Sequence, residues 1–153
     1  MKKVKIWKNK KTMIGQWNGH YKFESEKIQK IRGFEMTKFE IIIQKFDGIN
    51  FEGIVNDDIE TGGMAETGKI IGNVENSIVS FEKFMPKRNV LNLKGGRKEI
   101  EGAHPILYYS GILSKNKSEI IGTWEFRKQI SFLFGFIPIR YRPGKGSWKM
   151  NLS

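Results

Sequence analysis

The chain has 153 residues, of which 39% are hydrophobic and 28% charged, and its net charge is +11. A chain of this length and composition is expected to fold as one soluble globular domain around a single core. The absence of cysteine excludes a disulfide scaffold, a thiolate nucleophile and a Cys-ligated metal site. The basic start lacks the apolar stretch of a secretion signal, and no apolar run reaches the ~20 residues of a membrane helix. We therefore expect a cytoplasmic protein without a membrane span.

The charge is distributed unevenly along the chain. Residues 2–11 contain six lysines, residues 127–149 contain six basic residues and no acid, and residues 46–82 contain eight acids against one lysine. Lysines outnumber arginines by 21 to 6, whereas base readout and bidentate phosphate contacts favour arginine. Trp7 among the first lysines is the one cluster that favours nucleic acid, so nucleic-acid binding is not expected. The basic excess then either keeps the protein soluble or attracts an acidic protein partner.

Apolar residues recur with period two through most of the chain, which is typical of half-buried β-strands. Ser25 as N-cap and Gly33 as C-cap predict one short helix over residues 25–31. Asp47-Gly48 fits a two-residue hairpin turn in which both positions take positive φ. The predicted strands cover residues 14–24, 37–46, 49–56, 67–75, 77–84, 90–93, 106–113, 119–127 and 145–152.

Eight or nine hairpin-linked strands in an open sheet would leave unpaired backbone at both edges. Closure removes these edges, so we predict an all-β fold: a single antiparallel up-and-down β-barrel of eight to ten strands, with at most one short helix. Residues 14–153 form this domain, and residues 1–13 form a basic N-terminal arm or edge segment. Glycine recurs within the predicted strands, where it packs poorly, and Gly-x-Trp occurs three times, at residues 15–17, 122–124 and 146–148. We interpret the pattern as large rings beside small neighbours inside a tightly coiled closed sheet.

The Gly15-Gln16-Trp17 motif on the first strand resembles the Gly-x-Trp signature of the calycin-type barrels, which include lipocalins, fatty-acid-binding proteins and avidins. The resemblance implies that Trp17 closes one end of the barrel and packs beneath a basic side chain, for which Arg140 and Arg142 are the candidates. The chain departs from these families in lacking a cysteine pair, the helix-turn-helix cap of the fatty-acid carriers and the polar set that contacts biotin in avidins. The resemblance therefore extends to the fold and leaves the ligand open.

Aromatic side chains on the presumed inward faces predict an interior binding site for a small, mainly apolar molecule. One carboxylate on the fifth strand, Glu82, is a candidate anchor for a polar ligand group, although Lys83 has the opposite orientation and is an equal candidate for the interior. The predicted site consists of Trp17, Tyr21, Phe39, Phe51, Glu82, Tyr108, Trp124 and Trp148.

Other reactive side chains give weaker signals. His20 and His104 are far apart in sequence and are interpreted as ordinary surface residues, and the acidic residues 57–60 as a strand connection rather than a Ca²⁺ loop. Residues 130–139 (ISFLFGFIPI) form either a buried strand or an exposed lid or interface patch bounded by cations. No phosphate loop, dinucleotide fingerprint, nucleophile elbow or zinc signature is present, so we predict no catalytic residue, metal ligand or cofactor.

Two functions follow from the sequence. The first is a non-catalytic, lipocalin-like barrel that binds a small apolar ligand in its interior. The alternative is a packed-core interaction module, of the immunity or inhibitor type, that binds a macromolecule through its charged surface. The filling of the barrel interior distinguishes them.

Overall fold

The computed structural model describes residues 13–85, 88–91, 97–100, 106–126, 129–133, 137–141 and 144–153, with residues 88–91, 97–100, 129–133 and 137–141 described as backbone. These segments form twelve strands, one α-helix and a 3₁₀ turn at Ile59–Thr61. The elements are β1 (Gly15–Phe23), α1 (Glu26–Arg32), β2 (Thr37–Phe46), β3 (Asn50–Asp57), β4 (Gly68–Glu75), β5 (Ile78–Phe84), β6 (Arg88–Leu91), β7 (Arg97–Ile100), β8 (Leu107–Leu113), β9 (Glu119–Phe126), β10 (Gln129–Leu133), β11 (Ile137–Tyr141) and β12 (Lys145–Leu152).

Eight of the strands form a closed antiparallel barrel in the order β1-β12-β9-β8-β5-β4-β3-β2. The predicted all-β fold is therefore confirmed, and closure between the first and last strands removes the exposed edges that an open sheet would have. Strands β6 and β7 pair with each other, as do β10 and β11, in two separate hairpins. The single strand predicted at residues 90–93 overlaps β6, which is one arm of a hairpin, and the described part of residues 130–139 contributes to two strands instead of one.

Both hairpins are inserted at the same end of the barrel. The first lies between β5 and β8, whose residues Lys83 and Leu107 are paired there, and the second lies between β9 and β12, where Glu125 is paired with Lys145. Helix α1 follows the end of β1 at this same end, which we call the helix end. The opposite end, where β1 begins, is called the Trp17 end.

Helix α1 is short because its sequence caps it at both sides. The Ser25 hydroxyl accepts a hydrogen bond from the Ile28 N–H at 3.3 Å, and Gly33 takes a left-handed φ of 78° and donates its N–H to the Lys30 carbonyl. Both caps were predicted, and the helix begins and ends one residue later than the predicted range.

The hairpin between β2 and β3 forms as predicted, but its turn differs. Phe46 pairs with Phe51, so four residues form the loop, and among them Gly48 alone has positive φ. The Asp47 carboxylate accepts the N–H groups of Ile49 and Asn50 at 2.8 and 2.6 Å and so fixes the wider turn. A two-residue turn with two positive φ values occurs instead at residues 76–77, between the paired Glu75 and Ile78.

Two of the three Gly-x-Trp motifs pair with each other. In the antiparallel register of β9 and β12, Gly122 faces Trp148 and Gly146 faces Trp124. Each indole lies against a strand that carries glycine: a Cβ on Gly146 would lie 2.7 Å from the Trp124 ring, and one on Gly111 of β8 would lie 2.8 Å from Trp148. The small residue thus makes room for a ring on the neighbouring strand.

Because the rings lie close to the neighbouring strand, their indole N–H groups donate hydrogen bonds to its backbone carbonyls. Trp124 Nε1 donates to the carbonyl of Ser147 at 3.2 Å, and Trp148 Nε1 donates to the carbonyl of Thr123 at 3.0 Å. Each motif therefore supplies the middle carbonyl that accepts from the other motif's tryptophan. The arrangement satisfies two buried donors, which would otherwise cost about 1–3 kcal/mol each.

Candidate functional site

Six of the eight predicted site residues point into the barrel. Their side chains are buried together with the rest of the core. The six residues are Trp17, Tyr21, Phe39, Phe51, Trp124 and Trp148.

The other two predicted site residues, Glu82 and Tyr108, face outward. They pair with each other across β5 and β8, both are half-buried, and they alternate with the inward-facing Phe81, Lys83 and Tyr109. Of the two interior candidates on β5, the structure therefore places Lys83 inside. The sequence could not decide this, because both parities of β5 carry an apolar residue and a charge.

Aromatic rings pack closely against one another and against glycines inside the barrel. Phe81 stacks on Tyr109 with centroids 4.6 Å apart, and Trp148 meets both rings edge-on at 5.4 Å. Further rings contact glycines directly: a Cβ on Gly19 would lie 2.7 Å from Phe39, and one on Gly72 would lie 2.7 Å from Phe51. Such contacts match the packing of a solid core.

The Trp17 end is closed by the first described residues. Trp17 and Met13 are both fully buried, and the Trp17 indole N–H donates to the Met13 carbonyl at 3.0 Å. Met13, the last residue of the predicted N-terminal arm or edge segment, packs here with the core. The side chains of Arg140 and Arg142, predicted to cover Trp17, lie outside the described residues, as do residues 1–12.

A polar cluster lies inside the barrel at the helix end. Lys83 Nζ contacts both oxygens of Asp57, the last residue of β3, at 2.8 and 2.9 Å, and the two side chains are 4% and 3% exposed. Burial acts to lower the pKa of Lys83, but the Asp57 carboxylate outweighs it and the pKa of Lys83 lies above its ordinary value. Lys83 is therefore a charged structural group and a poor nucleophile.

Two buried polar atoms of this cluster have no hydrogen-bond partner among the described residues: the Tyr109 hydroxyl and Arg32 Nε. The Arg32 guanidinium lies over the rings of Tyr21 and Phe23, with Cζ 5.7 and 4.8 Å from their centroids, and donates to the hydroxyl of Thr37 at 2.6 Å. Burial raises the pKa of Tyr109, against the opposing effect of nearby Lys83. Unpaired buried groups of this kind are usually satisfied by a water molecule or a ligand.

The outer surface of four neighbouring strands has a different character. Twelve outward-facing residues form three rows on β4, β5, β8 and β9, which we call the docking face. It contains five large apolar or aromatic residues, four small polar residues and three glutamates, and no lysine or arginine. The rows are Ile71-Glu82-Tyr108-Glu125, Asn73-Ser80-Ser110-Thr123 and Glu75-Ile78-Ile112-Ile121.

Three isoleucines lie side by side in the third row. Ile78 faces Ile112 across β5 and β8, and Ile112 faces Ile121 across β8 and β9, with exposures of 53, 68 and 52%. Branched side chains stabilise neighbouring strands, which explains single exposed isoleucines. Three adjacent ones, bordered by short serine and threonine side chains, form an apolar patch of the kind that marks an interaction surface.

A cavity of about 1070 Å³ runs along the first two rows and continues over β12 and β1 to α1. Its described lining includes the outward-facing Asn73, Ser80, Ser110 and Thr123 and, between them, the inward-facing Phe81, Tyr109 and Trp124, so the cavity follows the barrel wall. Five glutamates and two lysines are among the described lining residues, and one lysine, Lys145, is paired with Glu24 at 3.3 Å. The described wall is thus acidic on a protein whose net charge is +11.

The remaining signals from the sequence have structural explanations. In the acidic segment 57–60, Asp57 pairs with Lys83 and the Asp58 carboxylate caps the 3₁₀ turn by accepting the Glu60 N–H. His20 faces outward on β1, where partial burial and the charges of Lys149 and Lys22 lower its pKa. Among the described residues, no three His, Asp or Glu side chains converge as a metal site requires. His104 lies outside the described residues.

Comparison with protein-family models, curated proteins and solved structures finds no match to this chain. The structure by itself therefore defines the class, a closed eight-stranded antiparallel β-barrel. Within the residues that the structure describes, no helix combines the length and apolarity that crossing a bilayer demands.

Proposed function

We propose that this protein is a non-catalytic interaction module in which a packed β-barrel supports a protein-binding surface on its outer wall. One observation carries the proposal: the interior rings contact interior glycines, whereas three neighbouring isoleucines stay more than half exposed on the docking face. A barrel that binds an apolar ligand inside needs empty apolar volume. Here the interior rings lie close against glycines, and exposed apolar surface lies on the outer wall.

The docking face has the composition of a protein interface. Its middle row is uncharged, the row of isoleucines lies beside it, and the glutamates stand in the two outer rows, so most of the charge lies at the border, as in the polar rim of an interface. Serine, threonine and branched isoleucine side chains lose little rotamer freedom when they become buried, which lowers the entropic cost of association. The three glutamates and the absence of bases favour an apolar partner segment with positive charge.

The test uses a displayed peptide library selected against the purified protein. We expect enrichment of apolar peptides with net positive charge, and at least tenfold weaker binding to an Ile112→Lys variant. Ile59→Lys is the matched control, because Ile59 is 59% exposed but lies in the 3₁₀ turn. Peptides that bind both variants equally, or no enrichment at all, would refute a binding role for the docking face.

A second candidate function is favoured by the unpaired Tyr109 hydroxyl and Arg32 Nε. A small molecule with a hydrogen-bond acceptor, bound at the helix end inside the barrel, would satisfy both groups. Binding of a ligand inside the barrel would be a lipocalin-like function, in keeping with the resemblance of the first strand to calycin-type barrels. Tryptophan fluorescence during titration with lipids, retinoids and haem tests this, because Trp124 lies 5.7 Å from Tyr21 and 6.5 Å from Tyr109. If the tryptophan fluorescence of both the wild type and Tyr109→Phe stays constant for every compound, a ligand site at the helix end is excluded.

A further inference from the structure

The docking face lies on one part of the barrel and its complement lies in another part of the same sequence. The face carries three glutamates, no base and five large apolar or aromatic residues. Residues 127–142 (RKQISFLFGFIPIRYR) carry four cations, no acid and a continuous apolar centre. Opposite charges beside two apolar clusters are the arrangement that brings two protein surfaces together and fixes their orientation.

We propose that the β10–β11 hairpin of one molecule docks on the docking face of a second copy of this chain. The proposal rests on the function proposed above and names the partner. Strands β10 and β11 form a two-stranded sheet of their own, paired from Gln129–Tyr141 to Leu133–Ile137, and are not part of the barrel sheet. A two-stranded hairpin gains stability when it packs against another surface.

The isoleucines remain uncovered by their own chain. The hairpin is joined to the barrel at the helix end, whereas the isoleucine row lies near the Trp17 end, where β5 and β9 begin and β8 ends. Ile121 and Phe126, the last residue of β9, are five residues apart, roughly 17 Å along a strand. Because the isoleucines keep 52–68% exposure within the single chain, the contact forms between molecules.

The charges favour a contact between the hairpin of one copy and the docking face of another over a contact between two docking faces. Two docking faces would bring Glu75, Glu82 and Glu125 of both copies together without a base to balance them. Lys149, which borders Ile121 on β12, is already paired with Glu119 at 3.4 Å. Residues 127–142, which comprise the hairpin and its flanks, carry four cations and supply the missing positive charge. The contact is therefore heterologous, and it links molecules head to tail.

Sedimentation velocity of the full chain tests the proposal. The weight-average mass should rise above the 17.7 kDa of one chain as the concentration increases towards about 1 mM, where contacts of a few kcal/mol become populated. Ile112→Lys removes the docking face and Phe132→Asp damages the hairpin, so each variant alone should remain at 17.7 kDa. Ile59→Lys should associate like the wild type.

The decisive measurement is an equimolar mixture of Ile112→Lys and Phe132→Asp. One variant keeps an intact hairpin and the other an intact face, so the mixture should form a single dimer of twice 17.7 kDa that does not grow further. A mixture that stays monomeric, or a Phe132→Asp variant that associates like the wild type, overturns the hairpin contact. Circular dichroism verifies that both variants fold, and Ile112→Ser and Phe132→Ser replace any variant that does not.

The same experiment separates this inference from the function on which it rests. A wild-type chain that remains monomeric while library peptides still bind the docking face overturns self-association alone. A monomeric chain that also selects no peptide overturns both.

Discussion

Breaking the buried ion pair should destabilise the barrel more than any surface substitution. Asp57→Asn keeps the shape of the side chain but leaves the Lys83 ammonium, 4% exposed, without a counter-charge. Removing one partner of such a pair costs about 3–5 kcal/mol, because the remaining charge stays out of water. For a domain whose total stability is roughly 5–15 kcal/mol, this loss is a large share.

The double variant Asp57→Asn/Lys83→Met should recover most of this loss. Removing both charges removes the cost of taking two ions out of water, so replacing a whole pair is often nearly neutral. Urea unfolding followed by tryptophan fluorescence measures the free energies of the cycle, provided that the m-value stays constant. Lys145→Met breaks the exposed pair with Glu24, 68 and 65% exposed, and serves as the control with an expected cost below about 1 kcal/mol.

Two results would refute this reasoning. One is a cost below about 1 kcal/mol for Asp57→Asn, which would mean that water reaches the ammonium. The other is a double variant as unstable as the sum of the two single variants, which would show that the two side chains do not interact.

The pair also makes stability depend on alkaline pH. The pKa of Lys83 in the folded protein lies above its ordinary value of 10.5, so the unfolded chain loses this proton first as the pH rises. The contribution of the pair is therefore complete below about pH 10.5 and is lost at higher pH. Tyr109, whose pKa burial raises from 10.0, acts in the same direction. Urea midpoints above pH 10 should fall less steeply in Tyr109→Phe than in the wild type, and equal slopes would contradict a buried neutral phenol.

The remaining predictions concern packing, the unpaired hydroxyl and salt. Gly122→Ala should cost more than about 2 kcal/mol in urea unfolding, because its Cβ would overlap the Ser110 carbonyl, whereas Ser147→Ala, facing outward, should change little. Trp124→Phe should cost about 2–4 kcal/mol, since it loses both indole hydrogen bonds and leaves a cavity beside Gly146. Tyr109→Phe should be neutral or stabilising by up to about 1 kcal/mol at neutral pH, and a clear loss would reveal a bound partner for the hydroxyl. Head-to-tail association should weaken severalfold at about 1 M salt without disappearing, because screening acts on the glutamates and spares the contacts of the isoleucine row.

The barrel could be predicted because the strands are amphipathic and their turns are local. Gly15, Trp17, Gly19, Tyr21 and Phe23 fall on one parity of β1, and this parity is the one that faces the interior. The same alternation predicts inward faces for β3 and β4. Closure followed from the edges that an open sheet would expose.

The site was harder to predict because several positions depend on contacts far apart in the sequence. On β5 the two parities look alike, and Lys83 lies inside because Asp57, 26 residues earlier, neutralises it there. Asp47-Gly48 has the sequence of a two-residue turn, but the Asp47 carboxylate binds two backbone N–H groups and fixes a wider loop.

The isoleucine row could not be predicted from the sequence either, because it too depends on contacts between residues far apart in the sequence. Ile78, Ile112 and Ile121 come from three strands, and each alone is an ordinary outward residue. They become neighbours only through the registers of β5 with β8 and of β8 with β9, which no local pattern specifies.

The pairing of β1 with β12 has a consequence for synthesis on the ribosome. Trp17 is paired with Leu152 and Tyr21 with Trp148, so the first strand of the barrel waits for the last strand of the barrel. Until then β1 and β9 each lack one neighbouring strand. The nascent chain therefore exposes two unpaired strand edges, which β12 covers in the closed barrel. Because contacts so distant in sequence form slowly, the growing polypeptide is most prone to aggregate during the interval before residues 145–152 emerge.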